Sequence, residues 1–426
     1  MIATRGDALQ KRSVPSDRVR CRDDHARRGY AARVLMPPPP MPAPVAVALP
    51  RLPESRHAIH ADLSDNERHM LDRLRLAGTA TRADLSRSTG LTVQSAVRLV
   101  DALAERGLVA IGASLAHAGR GKPGAGIALN PGYGHTVGYA IATDALSLAL
   151  LDFSGQIRGT AEHALRSTEP AALLAQLREA DAALTAAAGA GLGPRLGAGV
   201  AMTGFFVEDG VHMNPPEPLR ALGELSIGDW LAEALGLPVW VDNDGTVAAA
   251  GESLLGIGRQ YRDFAYLHFN YGLGGGVVID GTCLRGAHGN AGEFAGMLPQ
   301  QGLERGTLEL LRQLLAEDGI ALPDIRALLA AYDPAWPAIE RWIARVAPGL
   351  SLIVSAIVAI FDPQAVVFGG RMPRELATRL IPHVRIDNQP RRGQARPLPV
   401  LLPAAATADA SAVGAAALPL KACYFR

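Results

Sequence analysis

The 426-residue sequence has little cysteine, few aromatic residues and no long uninterrupted apolar segment. Its three cysteines, Cys21, Cys283 and Cys423, are too far apart for the paired spacing of a zinc site or a disulfide framework, so we expect reduced thiols. No stretch of about 18 apolar residues runs without a charge, Gly or Pro, which argues against a membrane span. Hydrophobic residues at 48% and charged residues at 19% are typical of a globular chain, and we expect a cytoplasmic protein.

Charge is nearly balanced overall, at +1, but it is unevenly distributed along the chain. Residues 1–34 hold nine Lys or Arg against four Asp or Glu, and residues 61–124 hold nine against seven. Residues 125–426 hold 22 against 29 and are mildly acidic. This asymmetry favours an anionic partner for the N-terminal part of the chain.

Composition and periodicity divide the chain into three regions. Residues 1–34 are Arg-rich and residues 36–50 are Pro-rich, so residues 1–60 are predicted to form a disordered tail. Met36 and Met41 are alternative starts of the chain, because the preceding residues carry no structural or targeting pattern. Residues 61–130 and 131–426 have regular apolar periods and are predicted to be the two folded domains.

Residues 61–130 are predicted to form three short helices followed by a β-hairpin. Ser64 and Thr92 are expected to cap the first and third helices. The third helix carries apolar residues at helical spacing, at Val93, Ala96, Val97, Val100 and Leu103. Residues 108–111 and 126–129 are predicted as two strands of a wing. This order of elements predicts a winged helix-turn-helix domain.

The polar residues of this domain are candidates for contacts with DNA. A helix fits the major groove, where polar side chains reach base edges and phosphates, and the candidates on the third helix are Thr92, Gln94, Ser95 and Arg98. Arg120 and Lys122 lie in the Gly-flanked wing turn, which suits a narrow minor groove. The alternatives are a solvated helix face and an ordinary charged hairpin. The order of the elements favours DNA binding, and we predict a double-stranded DNA operator as partner.

Residues 131–426 alternate strands with helices, as expected for an α/β body. Residues 136–152 and 264–280 each read as a strand, a tight turn and a second strand, which indicates a duplicated lobe. Residues 237–242 are predicted to be a buried strand that delivers Asn243 and Asp244 to the start of a helix. Residues 365–368 form a further strand that ends at Gly369 and Gly370. The ends of such strands are where α/β proteins place ligand groups.

Polar residues at these strand ends are candidates for ligand binding. Asn243 and Asp244 supply donors and acceptors for sugar hydroxyls, although an isolated Asn-Asp is as often a helix cap. Glu293 follows Gly292 in a glycine-rich turn that permits close approach of a ligand, and its alternative is a surface carboxylate. Residues 272–276 can cradle a phosphate with backbone N–H groups, or can be an ordinary turn between strands.

Taken in order, these motifs resemble the ROK family (repressors, open reading frames and kinases), in particular its transcriptional-repressor branch. The resemblance covers roughly residues 62–420 and is carried by residues 199–204, 242–244, 272–276, 289–293, 369–370 and 410–416. It implies a winged helix-turn-helix followed by an actin-like (ribonuclease H-like), two-lobed α/β sugar-kinase fold, assembled as a homodimer or homotetramer. The implied ligand-binding positions are Gly204, Asn243, Asp244, Gly292 and Glu293.

Two departures from the family pattern bear on activity. Ala140, Ala142 and Thr143 stand where the kinases of the family carry an Asp and two glycines. Alanine cannot coordinate Mg²⁺, so we expect degenerate phosphate loops, no nucleotide cofactor and no enzyme activity; the second loop holds Gly272, Gly274 and Gly275. Gly296 stands where the family often has a His, and no Cys lies between Cys283 and Cys423. A metal site of the family's zinc type is therefore not expected.

Three functional hypotheses remain open from the sequence. The leading one is a repressor that binds a palindromic operator and responds to a small sugar or sugar phosphate. The second is an ATP-dependent sugar kinase with a fused DNA-binding domain, because Asp244 matches the general base of the family's kinases. The third is an architectural regulator whose body only dimerises. An ATP-coupled assay separates the first two, and cleft substitutions that leave operator release unchanged would favour the third.

Overall fold

The structure is a computed structural model that describes residues 63–115, 124–299, 302–405 and 409–425. The predicted tail, Cys21, Arg120 and Lys122 lie outside the described residues. The described chain begins with three helices, α1 (Asp65–Ala77), α2 (Arg82–Thr89) and α3 (Val93–Glu105). An antiparallel hairpin follows, formed by β1 (Val109–Leu115) and β2 (Gly124–Leu129). These elements, here called the three-helix unit, stand in the predicted order.

The caps of α1 and α3 are those predicted, but one residue predicted on the apolar face of α3 is exposed. The side chains of Ser64 and Thr92 accept backbone N–H hydrogen bonds at the starts of α1 and α3. The prediction that Val93 lies on the apolar face of α3 is wrong, because its side chain is 61% exposed. The buried residues of α3 begin only at Ala96, so the packing of the unit covers the later turns of the helix.

The first lobe of the body is built around a five-stranded sheet. Its elements are β3 (His135–Ile141), β4 (Ala145–Asp152), β5 (Ile157–Ala164), α4 (Pro170–Ala188), β6 (Arg195–Met202), the short strands β7 (Phe205–Phe206) and β8 (Met213–Asn214), α5 (Ile227–Leu235), β9 (Val239–Asn243) and α6 (Asp244–Leu255). The strand order is β5-β4-β3-β6-β9, with β6 and β9 parallel to β3. The carboxyl ends of β6 and β9 therefore meet at one edge of the sheet.

The second lobe repeats this arrangement. Its elements are β10 (Phe264–Phe269), β11 (Leu273–Ile279), β12 (Thr282–Leu284), α7 (Leu308–Glu317), α8 (Ile325–Ala330), α9 (Pro337–Phe361), β13 (Ala365–Gly370), α10 (Arg374–Leu380), β14 (Val400–Pro403) and α11 (Ala410–Cys423). The strand order is β12-β11-β10-β13-β14, with β13 parallel to β10 and β14 parallel to β13. Each sheet thus begins with three antiparallel strands in chain order and continues with two parallel strands. This identical topology agrees with the predicted duplication of the lobe.

Two features of the core matter for function. The buried side chains of the three-helix unit, such as Met70 and Leu74, form one continuous cluster with α11 and with β3 and β4 of the first lobe. The unit therefore shares its core with the body. Within the described residues, α9 alone is long and apolar enough to cross a membrane by length and composition, and half of its most apolar stretch is buried. That buried side packs in the core of the second lobe, through residues such as Trp342 and Ile353.

Candidate functional site

A cleft of about 410 Å³ lies at the ends of β6, β9 and β10. It brings together four of the five predicted ligand-binding residues, Gly204, Asn243, Asp244 and Glu293. Gly292 precedes Glu293 and does not itself line the cleft. The strands deliver these residues because parallel strands end at the same edge of a sheet, as the sequence predicted.

Asn243 both caps α6 and faces the cleft. Its Oδ1 accepts hydrogen bonds from the backbone N–H groups of Gly245 (2.8 Å) and Thr246 (3.2 Å). Its Nδ2 donates to the backbone oxygen of Gly204 at 2.6 Å. The alternative reading of Asn243 as a helix cap is therefore correct, and one Nδ2 proton is left to reach a ligand.

Asp244 is a buried carboxylate held in position by its neighbours. Thr203 Oγ1 donates to Asp244 Oδ2 at 2.6 Å, and His268 Nε2 lies 3.5 Å from the same oxygen. Burial by itself would raise the pKa of Asp244, but His268, Thr203 and the N–H of Gly245 outweigh this effect and lower the pKa. The carboxylate is thus charged near neutral pH and can accept hydrogen bonds from ligand hydroxyls.

Glu293 has the opposite electrostatic character. Burial of its carboxyl group against the cleft wall and the charge of Asp244 raise the pKa of Glu293 to about 7. The residue as a whole is exposed, so water screens part of this effect. Near neutral pH the cleft accordingly holds one ionised carboxylate, and a second carboxyl group that can carry a proton and donate a hydrogen bond.

Two contacts tie the Gly-rich loop of residues 285–293 to the first lobe. Asn290 exchanges hydrogen bonds of 2.8 Å with both the N–H and the backbone oxygen of Phe206. Arg285 forms an ion pair with Asp242, and its guanidinium lies 5.6 Å from the centre of the Phe206 ring. Burial raises the pKa of Asp242 to about 6, although Arg285 and the N–H of Asn243 oppose this shift. The loop that carries Glu293 is therefore anchored across the cleft.

Sequence reasoning missed several residues that line the cleft, among them three with polar or charged side chains that can face a ligand, His268, Asn270 and Arg305. His268 and Asn270 are only 3% and 5% exposed. His268 Nε2 faces Asp244 at 3.5 Å, whereas His268 Nδ1 and Asn270 Oδ1 have no hydrogen-bond partner among the described residues. Arg305 also lines the cleft and is exposed. His268 lies in a strand with apolar neighbours, so no local signal marked it. Buried polar atoms are normally hydrogen-bonded, so these atoms face a position suited to a polar ligand.

The glycines of residues 272–276 have a packing role that the sequence did not indicate. Leu273 begins β11, so Gly274 and Gly275 belong to a strand and not to a turn, which corrects the expectation of a turn between strands. A Cβ atom on Gly292 would lie 2.4 Å from the backbone oxygen of Gly275, and a Cβ atom on Gly245 would lie 2.7 Å from the backbone nitrogen of Gly275. Gly275 thus lets α6 and the cleft loop approach β11 closely. Gly272 and Gly274 meet no such neighbour.

The residues predicted to be a degenerate first phosphate loop, Ala140, Ala142 and Thr143, lie at the end of β3 and in the tight turn that leads into β4. Ala140 is buried in β3, and Ala142 and Thr143 precede Asp144 at the turn. Asp144 reaches the second lobe, where it accepts hydrogen bonds of 2.5 Å from the Arg371 side chain and from the N–H of residue 326. Both side chains of the Asp144–Arg371 ion pair are buried. The turn therefore carries an inter-lobe ion pair.

A second cavity, of about 650 Å³, lies beside this ion pair. Its polar lining combines Arg371 and Arg374 with the carboxylates of Glu162 and Asp409. Glu162 Oε1 lies 3.8 Å from Arg371 Nη2. The two arginines and the two carboxylates of this lining balance each other in charge.

The predicted DNA-contacting residues of α3 lie on one exposed end of the helix. Thr92 caps α3 and its Oγ1 donates to Ser95 Oγ at 2.9 Å, so these two side chains are engaged with each other. Gln94 and Arg98 are exposed, one helical turn apart. The structure thus places Gln94 and Arg98 on a common surface and gives Thr92 and Ser95 a capping role.

Among the residues that the structure describes, no group of three or more His, Cys, Asp or Glu side chains is arranged to hold a metal ion. Gly296, which stands in place of a family histidine, lies in a short 3-10 helix, Phe294–Met297.

Comparison with known proteins places this site in a family. Residues 136–307 match the model of the ROK family. The chain is 28% identical over 367 residues to the uncharacterised protein y4fQ of Sinorhizobium fredii, covering 85% of this chain and 93% of that protein. It is 30% identical over 189 residues to the β-glucoside kinase of Listeria innocua, covering 40% of this chain and 64% of that enzyme.

A solved structure extends the likeness in fold to the three-helix unit. The crystal structure of a ROK family transcriptional regulator, a homologue of the E. coli MLC protein, matches with a TM-score of 0.62 and 22% identity. The match covers 84% of this chain and 95% of that regulator. At this identity the likeness concerns the fold alone. Residues 136–307 of this chain therefore form a ROK family domain.

Proposed function

We propose that this protein is a DNA-binding transcriptional regulator, acting as a repressor, whose ROK domain binds a sugar or sugar derivative and does not transfer phosphate. The observation that carries the proposal is the exposed polar face of α3, which presents Gln94 and Arg98 to solvent. In a winged helix-turn-helix the corresponding helix enters the major groove of DNA. Arg98 forms no ion pair with any described residue, so its guanidinium is available for a phosphate or a guanine edge.

The exposure of Val93 fits the same role. An apolar side chain 61% exposed at the start of α3, next to Gln94, matches the contact that side chains make with the methyl group of thymine. An exposed valine is otherwise unfavourable on a solvated helix, although single exposed apolar residues are common. Gln94 and Arg98 would then supply the polar part of the same base contacts.

The cleft supports a sugar as the ligand. Its volume of about 410 Å³ lies in the range of small-molecule sites. Charged Asp244, the free proton on Asn243 and the raised pKa of Glu293 offer acceptors and donors for hydroxyl groups. Arg305 adds one positive charge at the rim, which suits a sugar phosphate as well as a neutral sugar.

The turn between β3 and β4 supports the absence of phosphoryl transfer. Transfer from ATP requires Mg²⁺ and a positively charged, flexible cradle around the phosphates. Ala140 and Ala142 offer no metal ligand, and Asp144 places a carboxylate at the turn. The fold likeness to the solved ROK family transcriptional regulator, which covers 84% of this chain, supports the same proposal.

The test is capture of genomic DNA fragments by the purified full-length protein, with and without each member of a hexose and hexose-phosphate panel. We expect enrichment of palindromic fragments, as a homodimer or homotetramer would select, and release of these fragments by one sugar. The same sugar should raise the melting temperature of the protein. Failure to enrich any fragment would refute the DNA-binding half of the proposal, and failure of every sugar to change binding would refute the sensing half.

A second candidate function, an ATP-dependent sugar kinase, is favoured by one specific observation. Asp244 is ionised, oriented by Thr203 and placed at a cleft suited to a sugar, which is the arrangement that a general base requires. The likeness to the β-glucoside kinase of Listeria innocua points the same way. An ATP-coupled assay over the same panel decides, because turnover that disappears in Asp244→Ala would establish the kinase and contradict our reading of Ala140 and Ala142.

A further inference from the structure

Two arginines of α1 attach the three-helix unit to the body. Arg75 Nη1 donates to the backbone oxygen of Leu254 at 2.6 Å. Arg68 donates through Nε and Nη2 to the backbone oxygens of three residues, at 2.8 to 3.2 Å, and these are Lys421, Ala422 and Phe425. Both arginines lie on α1, about two helical turns apart, so a single helix makes all of these contacts.

Apart from Phe425, which lies two residues beyond α11, the acceptors are terminal carbonyls of two helices of the body. Leu254 lies in the last turn of α6, and Lys421 and Ala422 lie in the last turn of α11. Such carbonyls have no partner within their own helix, and they form the negative end of the helix dipole. A guanidinium is therefore well suited to bind them, and the two arginines act as C-terminal caps supplied by another domain.

The opposite end of α6 lies at the ligand cleft, because Asp244, its first residue, lines the cleft. With 12 residues, α6 spans about 18 Å. The start of α11 is joined to the same end of α6, because the Ser411 hydroxyl in its first turn donates to the backbone oxygen of Asp244 at 3.4 Å. Thus α6 runs from the cleft to Arg75, and α11 runs alongside it to Arg68.

Close backbone contact prevents the two helices from moving independently. A Cβ atom on Gly414 of α11 would lie 2.0 Å from the backbone oxygen of Val247 in α6, and one on Gly251 would lie 2.9 Å from Gly414 Cα. On its other side, α11 packs on the first sheet, where a Cβ on Gly138 would lie 2.0 Å from the backbone oxygen of Ala412. Rigid backbone packing of this kind transmits displacement, because it cannot be compressed.

We propose that Arg68 and Arg75 are positioning residues that couple the state of the ligand cleft to the orientation of the three-helix unit. A change at Asp244 moves the cleft end of α6, α11 follows because of the contact at Gly414, and both C-termini carry α1 with them through the two arginines. The inference rests on the proposed function for its biological meaning, but the coupling itself requires neither DNA nor an identified ligand.

The test is hydrogen exchange of the α1 amides in the full-length protein, measured by mass spectrometry. Asp244→Asn changes the cleft end of α6 at constant shape, and it is compared in two backgrounds, wild type and Arg68→Ala/Arg75→Ala. Thr203→Val, which removes the 2.6 Å hydrogen bond to Asp244, is a second cleft variant in case Asp244→Asn fails to fold. Arg73→Ala is the control background, because Arg73 lies on α1 and its hydrogen bond is to His69 of the same helix.

Coupling predicts a result that a merely structural role of the arginines does not. In the wild-type and Arg73→Ala backgrounds, the cleft variant should change α1 exchange by at least about twofold, the lower end of couplings between distant sites. In the double-arginine background the cleft variant should leave α1 exchange unchanged. No change in the wild-type background, or an equal change in both, would overturn the inference.

The exchange experiment and the DNA-capture experiment test the coupling and the proposed function separately. If the cleft variant alters α1 exchange only when the arginines are present, the coupling stands even where no DNA fragment is captured. If DNA is captured but the cleft variant does not change hydrogen exchange of α1, the proposed DNA-binding function is supported and the coupling through Arg68 and Arg75 is wrong.

Discussion

Breaking the Asp144–Arg371 ion pair should destabilise the body strongly. The two side chains are 7% and 5% exposed, and Asp144 also accepts the N–H of residue 326. Asp144→Ala would leave the Arg371 guanidinium buried beside Glu162 as its remaining charged neighbour, at 3.8 Å. Removal of one member of a buried pair costs about 3–5 kcal/mol, because the other charge stays desolvated. We expect a loss of this size in the free energy of unfolding.

The assay is thermal unfolding followed by tryptophan fluorescence. If roughly 300 residues of the body unfold together, with an unfolding entropy of about 2.1 cal/mol/K per residue, the melting temperature should fall by roughly 5–8 °C. Arg166→Ala is the matched control, because Arg166 and Glu179 form an ion pair whose side chains are 59% and 68% exposed. Water screens such an exposed pair, so its loss should change the melting temperature little.

The double variant Asp144→Leu/Arg371→Met sharpens the test. Both charges are then absent, so most of the loss caused by Asp144→Ala should be recovered. The reasoning is refuted if Asp144→Ala lowers the melting temperature no more than Arg166→Ala does, or if the double variant is less stable than Asp144→Ala.

Two further predictions concern the cleft and the helices behind it. Because the folded-state pKa of Glu293 is raised to about 7, its contribution to stability is greatest below pH 4.5 and declines as pH rises to 7. Glu293→Gln should therefore melt at a higher temperature than wild type above pH 7, and the two melting temperatures should become equal in acid. A difference in melting temperature that does not change with pH would contradict the raised pKa of Glu293. Gly414→Ala should abolish folding or cost more than about 3 kcal/mol, since its Cβ would lie 2.0 Å from a carbonyl oxygen of α6. Gly296→Ala is the control and should fold normally, because no atom lies within 4 Å of its new Cβ. Equal melting temperatures of Gly414→Ala and Gly296→Ala, measured by circular dichroism, would refute the packing argument.

Local sequence patterns predicted the elements and part of the cleft. Thr92 caps α3, and the two similar segments of residues 136–152 and 264–280 open two sheets of identical topology. Asn243 and Asp244 were located because a buried strand followed by a helix places its last residues at the edge of the sheet. These features depend on residues that are neighbours in the sequence, so the local pattern of apolar and capping residues is enough to predict them.

Contacts between distant residues could not be predicted in the same way. Asp144 and Arg371 are 227 positions apart, and Arg68 and Phe425 are 357 apart, so nothing local pairs them. His268 lies in a strand that is buried throughout, where one polar residue gives no pattern. Val93 was misplaced because helical spacing predicts a face but not how far the neighbouring helices extend along it.

The proposed binding of α3 to DNA is tested most directly by the affinity of the full-length protein for its captured genomic fragment. Wild type, Arg98→Ala and Arg166→Ala are compared by fluorescence anisotropy over a series of salt concentrations. Loss of a phosphate contact lowers affinity and reduces the slope of log affinity against log salt by about 1, and loss of a base contact costs about 1–3 kcal/mol. We predict that Arg98→Ala weakens binding by at least about tenfold, while the exposed body variant Arg166→Ala binds like wild type. Equal affinities of the Arg98→Ala and Arg166→Ala variants, or the absence of any captured fragment, would contradict the proposed binding of α3 to DNA.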